Sequence, residues 1–167
     1  LYHITAPPYD FLSWRDTQTL MVARNFYRDG MNLFLPAVDW RTTYAVDPRG
    51  TVGGTELMVV PYLTAILYHL FGLLYWVGRV VPIGFAVMGI YWFFRLVERH
   101  AGEMCAAAAS LLLTASPYYL YCGRCQMPES FALSMSFATL YFYDAWLRQR
   151  KRGDYARAAA SALLMLL

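Results

Sequence analysis

Four apolar stretches, at 57–75, 80–97, 104–121 and 129–147, follow one another with only short polar breaks, and a fifth begins at 156. Each of the four approaches the ~20 residues that a helix needs to cross a hydrocarbon layer. A chain of 167 residues has too little other material to bury them all in one soluble core. Composition points the same way: 59% of the residues are hydrophobic and 15% charged, against roughly 25% charged in a soluble domain. Too little polar surface is left to face water on every side. No run alternates with period two, so a β-barrel is not expected. The expected fold is all-α, a polytopic integral membrane protein. The apolar run at 158–167 is too short to cross alone, so the sequence reads as a piece of a longer protein, with a further helix expected after it.

Charge sets an expected topology. Arg148, Arg150, Lys151, Arg152 and Arg157 cluster in one short stretch. Beside lipid-soluble flanks such a cluster reads as a cytoplasmic loop and not as a nucleic-acid surface. The segment 95–103, with Arg95, Arg99 and His100, falls on the same side. The stretches 104–121 and 129–147 then form a hairpin whose turn, 122–128, is extracytoplasmic. The stretch 57–75 is ambiguous by itself, because Pro61, His69 and Gly72 suit a re-entrant helix as well as a spanning one.

Residues 1–55 are polar and turn-rich and read as a loop ahead of the transmembrane region, 56–167, on the outer face if 57–75 does not span and on the cytoplasmic face if it does. Within them the recurrence of Leu20, Ala23, Phe26 and Tyr27 predicts a helix over 17–29, stopped by Asp29-Gly30. It is too short and too charged to span, and a position on the membrane surface suits it. Of the three cysteines, Cys105 lies in an apolar run and is expected in the core. Cys122 and Cys125 are half of a zinc site at best, with no second pair to complete it; a structural or incidental role is the expected reading, with a local disulfide as the other.

Three patches could carry chemistry. The first is Trp14-Arg15-Asp16-Thr17-Gln18, with Arg24 and Arg28 further along the same helix. Asp16 is either a helix-start carboxylate stabilised by the dipole or a functional acid. Arg24 and Arg28, four residues apart, offer two guanidinium forks to a phosphate or simply a solvated face. The second patch holds Asp39 and Arg41, then Glu56 at the edge of an apolar helix. The third is Arg124-Cys125-Gln126-Met127-Pro128-Glu129, where proline and an acid also suit the opening of a helix.

The strings W-R-D-T-Q-T-x3-A-R-N-F-Y-R-D-G-M-N-L-F-x-P-x-V-D-W-R and V-G-G-T-E-x4-P-Y-L-x4-Y-x-L-F-G resemble the bacterial glycosyltransferase family 39 group, relatives of the protein O-mannosyltransferases and of the aminoarabinose transferase acting on lipid A. S-P-Y-Y-L-Y-x-G-R-x-x-M-P-E fits the same group. The resemblance implies the membrane-embedded C-type fold and a bacterial inner-membrane location. It implies transfer of a sugar from a polyprenyl-phosphate carrier to an acceptor outside the cytoplasm, be it protein, lipid or glycan. It places the essential acid of the first outer loop at Asp16, and further acids at Glu56 and Glu129. It also places both loops on the outer face, which makes 57–75 a juxtamembrane or re-entrant helix. Many relatives carry an acid two residues after Asp16, where this chain has Gln18, and Glu56 lacks the lysine that follows it in the aminoarabinose transferases.

On that resemblance Asp16 is the expected general base, and Arg124, Arg24 and Arg15 are expected at the leaving phosphate. Glu129 and Glu56 would orient the acceptor or hold a divalent metal ion, the one cofactor the resemblance suggests. The alternative is a membrane transporter or lipid flippase, which calls for charges lining a path through the bilayer. Asp144 is the main ionisable residue within the apolar stretches.

Overall fold

The computed structural model describes residues 5, 13–34, 36–39 and 58–166. Among these the regular elements are seven helices: α1 (Ser13–Asp29), α2 (Val59–Phe71), α3 (Tyr75–Ala101), α4 (Glu103–Ala115), α5 (Pro117–Arg124), α6 (Glu129–Gln149) and α7 (Arg152–Leu166). They divide into two compact units, Leu1–Pro82 with Cys125–Pro128, and Ile83–Arg124 with Glu129–Leu167.

The first unit is built on α1 and α2. Asp16 in the first turn of α1 and Arg28 in the last complement the helix dipole. Gly30 follows with φ 126°, a conformation that ends the helix at little steric cost. Val22, Ala23 and Phe26 recur at helical spacing and are buried. Val22 and Phe26 pack with Ala65, while Ala23 meets Tyr68 and Val77. The rings of Phe26 and Tyr62 meet edge to face at 5.7 Å. The apolar stripe that the sequence offers to a membrane surface is therefore covered by α2. Helix α2 opens with Pro61 in its first turn, where a missing N–H leaves no bond unmade. It ends at Gly72, whose φ of 83° admits glycine readily.

The second unit begins within α3. Phe85 packs on Phe131, Phe93 on Phe137, and Trp92 on Tyr141. A Cβ added at Gly89 would lie 3.4 Å from the Cα of Ser134. The paired positions rise together along both helices, so α3 and α6 run parallel, closest at Gly89 and held apart by aromatic rings elsewhere. Tyr119 of α5 donates its hydroxyl hydrogen to the Ala86 carbonyl at 2.6 Å. At the far end Asp144 gathers Arg148 at 3.1 Å, His100 at 3.4 Å and Arg99 at 3.7 Å. The Arg99 guanidinium also lies 3.7 Å over the Tyr141 ring. Helices α6 and α7 form an antiparallel hairpin, with Thr139 bonded to Ser161 at 2.9 Å and Trp146 packed on Tyr155. Ala138, Ala145 and Ala158 are buried along this pair, small side chains that let the two backbones come close.

Three expectations change. The stretch 104–121 is two helices, because Ser116 before Pro117 is extended, at φ −62° and ψ 123°. The basic loop expected over 148–157 shrinks to 150–151, with Arg150 at φ 52° making the turn. Cys105 is exposed and not a core residue, because it lies off the face of α4 that buries Ala106 and Ser110. Cys122 and Cys125 are buried, and no disulfide joins them. Among the described residues one helix, Tyr75–Ala101, is long and apolar enough to cross a membrane.

Candidate functional site

Asp16 is 5% exposed. It stands at the fourth position of α1, and its carboxylate reaches across 110 residues of sequence to accept the backbone N–H of Gln126. Helix capping alone does not account for that contact, since a cap would spend the carboxylate on the amides of its own first turn. The partner turn, Cys125–Pro128, belongs to the same compact unit as α1. It is anchored by Met127, 1% exposed, and tightened by the Met127 N–H donating to the Cys125 carbonyl at 2.8 Å. Two segments expected to share a site are thus joined at Asp16.

Beneath the same turn lies Gln126, 2% exposed. Neither polar atom of its carboxamide has a hydrogen-bond partner among the described residues. The amide rests on Gly78 of α3, where an added Cβ would overlap it. Gln126 lies within the third patch of the sequence, and nothing in its neighbours' spacing marks it for a role.

Arg24 forms an ion pair with Asp39. Asp39 also accepts a hydrogen bond from the Asn25 amide at 3.0 Å, and that amide donates to the Ala37 carbonyl at 2.9 Å. The charge of Arg24 is thereby shared with a carboxylate that ties 37–39 to α1. Beside it a cleft of about 250 Å³ is lined by Thr17, Leu20, Met21, Arg24, Tyr68 and Leu74, among others. Its character is mixed, with apolar walls and a few polar atoms, as small-molecule sites tend to be. Burial, with Tyr75 nearby, pushes the Tyr68 phenol up to about 12, so it is a neutral hydrogen-bond donor through the physiological range.

Arg15 lies in the first turn of α1, half-buried, and its carbonyl accepts the Thr19 hydroxyl. Arg124 ends α5 and Glu129 opens α6, positions where the dipole of each helix favours their charges. Both belong to the second unit, flanking in sequence the turn that Asp16 holds. Glu56 lies outside the described residues. Among the described residues no three His, Cys, Asp or Glu side chains gather as metal ligands. Asp144, the charge within an apolar stretch, is compensated by Arg99 and Arg148 and so offers no isolated carboxylate for a transport path.

The sequence model of one protein family, described as dolichyl-phosphate-mannose-protein mannosyltransferase, matches residues 56–167. No curated protein matches the chain significantly, and no solved structure does.

Proposed function

The chain belongs to the dolichyl-phosphate-mannose-protein mannosyltransferase family, and on that premise we propose that it passes a sugar from a polyprenyl-phosphate carrier to an acceptor outside the cytoplasm, with Asp16 as the base. Proteins of this family are membrane glycosyltransferases supplied by polyprenyl-phosphate-linked sugars. The sugar–phosphate bond is already activated, which leaves two tasks for side chains. One is to take the proton of the acceptor hydroxyl as its oxygen bonds to the anomeric carbon, a step in which a positioned base contributes ~10²–10⁴-fold. The other is to stabilise the polyprenyl phosphate that departs with the electrons of the broken C–O bond. A single displacement of this kind inverts the anomeric centre. Arg124 and Arg24 are assigned to the phosphate, with Arg15 in reserve, and Glu129 and Glu56 to orienting the acceptor. Glu56 is also where a divalent ion would bind.

The protein is read as polytopic, in a bacterial inner membrane, with 1–55 as the outer loop and 56–167 as the membrane region. The parallel run of α3 and α6 supports several crossings, since the chain must return across the layer between them through α4 and α5. So do the exposed apolar side chains of those helices, Leu111 at 70%, Leu112 at 76% and Leu140 at 53% among them, which suit a lipid solvent and not water.

The observation that carries the reading is the long-range contact of Asp16, a buried carboxylate held in a fixed orientation at the start of the outer loop's helix. Asp16→Asn separates the base from a mere latch. Asparagine keeps an oxygen to accept the Gln126 N–H and loses only its basicity. In the full-length protein, Asp16→Asn is expected to fold normally and to lose transfer from a polyprenyl-phosphate sugar by about 10²-fold or more. Wild-type rates in a folded Asp16→Asn protein would remove Asp16 from the mechanism.

A further inference from the structure

A carboxamide buried with both polar atoms unbonded is costly, because each has given up water and received nothing in exchange. Gln126 is in that state in the same turn whose backbone N–H is bonded to Asp16. Its packing is permitted by a specific neighbour, since any residue larger than glycine at 78 would collide with the amide. A methionine or leucine of similar volume would fill this space without the desolvation cost. The costly group therefore stands in the turn bonded to the carboxylate to which the transfer reading assigns the proton transfer.

We infer that the Gln126 carboxamide is a sugar-binding group, which receives a pair of neighbouring hydroxyls on the donor's sugar ring when substrate enters. This rests on the transferase reading above and adds the contact that recognises the sugar. The chemistry of the amide selects the partner. Its edge offers one donor and one acceptor side by side, which matches two adjacent hydroxyls. A phosphate offers only acceptors and would be repelled by Oε1. A single acceptor hydroxyl would satisfy one atom and strand the other. Gln126 is thus a positioning residue, and the proton transfer remains with Asp16.

The test uses the full-length protein in lipid nanodiscs and two probes, polyprenyl-phosphate mannose and the bare polyprenyl phosphate. Gln126→Met removes the polar atoms and keeps the volume. It is expected to melt at or above the wild-type temperature and to bind bare polyprenyl phosphate as wild type does. Its affinity for polyprenyl-phosphate mannose should fall about tenfold or more, as the loss of a hydrogen-bond pair implies, with KM for the donor rising more than kcat falls. Gly78→Ala, which displaces the amide without altering it, should show the same selective loss. Equal weakening toward both lipids, or a lowered melting temperature with the preference for the sugar-bearing lipid intact, would overturn the assignment of Gln126. A wild-type protein that takes up neither lipid would instead overturn the transferase reading beneath it.

Discussion

Tyr68 shows how one buried hydroxyl ties stability to pH. The residue is 4% exposed, Tyr27 stands against its ring at 6.4 Å, and its phenol is pushed up to about 12, chiefly by burial. Below pH ~10 the phenol is protonated in both the folded and the unfolded chain, and folding is indifferent to pH at this position. Between about 10 and 12 the unfolded chain gives up the proton while the folded protein keeps it, so stability falls as pH rises. Tyr68→Phe removes that dependence. The gap in melting temperature between pH 9 and pH 11 should be smaller in the variant than in wild type. An equal gap would mean that the phenol titrates freely in the folded protein. The carboxylate of Asp16 was legible in the sequence as an acid at a helix start next to arginines. Its bond to Gln126 was not, because a contact spanning 110 residues leaves no trace in local spacing. The pairing of Arg24 with Asp39 was hidden for the same reason, and residue types alone made Arg24 equally suited to a phosphate.

Between elements, the contact of α3 with α6 turns on Gly89. A Cβ there would meet the Tyr119 hydroxyl at 3.0 Å and the Ser134 Cα at 3.4 Å. Alanine presses on both, and leucine has no room at all. Gly89→Leu should therefore destabilise the protein by about 1–3 kcal/mol, the usual range for overfilling a packed contact. Gly84→Leu is the control, since a Cβ there meets nothing within 4 Å. Thermal unfolding of the two variants in detergent should lower the midpoint for position 89 and leave it near wild type for position 84. Equal midpoints would mean that the helices separate there at no cost. The helices themselves were legible, because apolar composition, Asp29-Gly30 and the basic clusters mark their extents. Their breaks were less so. Ser116-Pro117 splits a run that is apolar throughout, and hydrophobicity carries no sign of it although the proline does. Arg150 takes φ 52° so that α6 and α7 can fold back within two residues, where a basic cluster suggested a longer loop. The exposure of Cys105 was likewise out of reach, because a helix that is apolar all round does not show in its sequence which face is covered.

On the polytopic reading proposed above, the number of crossings in the whole molecule turns on α2. Its 13 residues give a helix of about 20 Å, shorter than a hydrocarbon layer of ~30 Å. Its buried face, Val60, Ala65 and Tyr68 among others, packs within its own unit. If α2 stays at the interface, three crossings separate Phe34 from Lys151: α3 inward, α4 with α5 outward, and α6 inward again. The two residues then lie on opposite faces, with the arginines around Lys151 on the cytoplasmic side as the positive-inside rule requires. A spanning α2 would add a fourth crossing and bring them to the same face. Both positions are exposed, Phe34 at 81%, so single cysteines there report the difference once Cys105, Cys122 and Cys125 are replaced by serine. In sealed cells a membrane-impermeant maleimide should label Phe34→Cys directly and Lys151→Cys only after permeabilisation. Labelling of both only after permeabilisation would make α2 a spanning helix. It would also put α1 and Asp16 on the cytoplasmic face, away from any acceptor outside the cell, and the assignment of the transfer reaction to that carboxylate would fall with it.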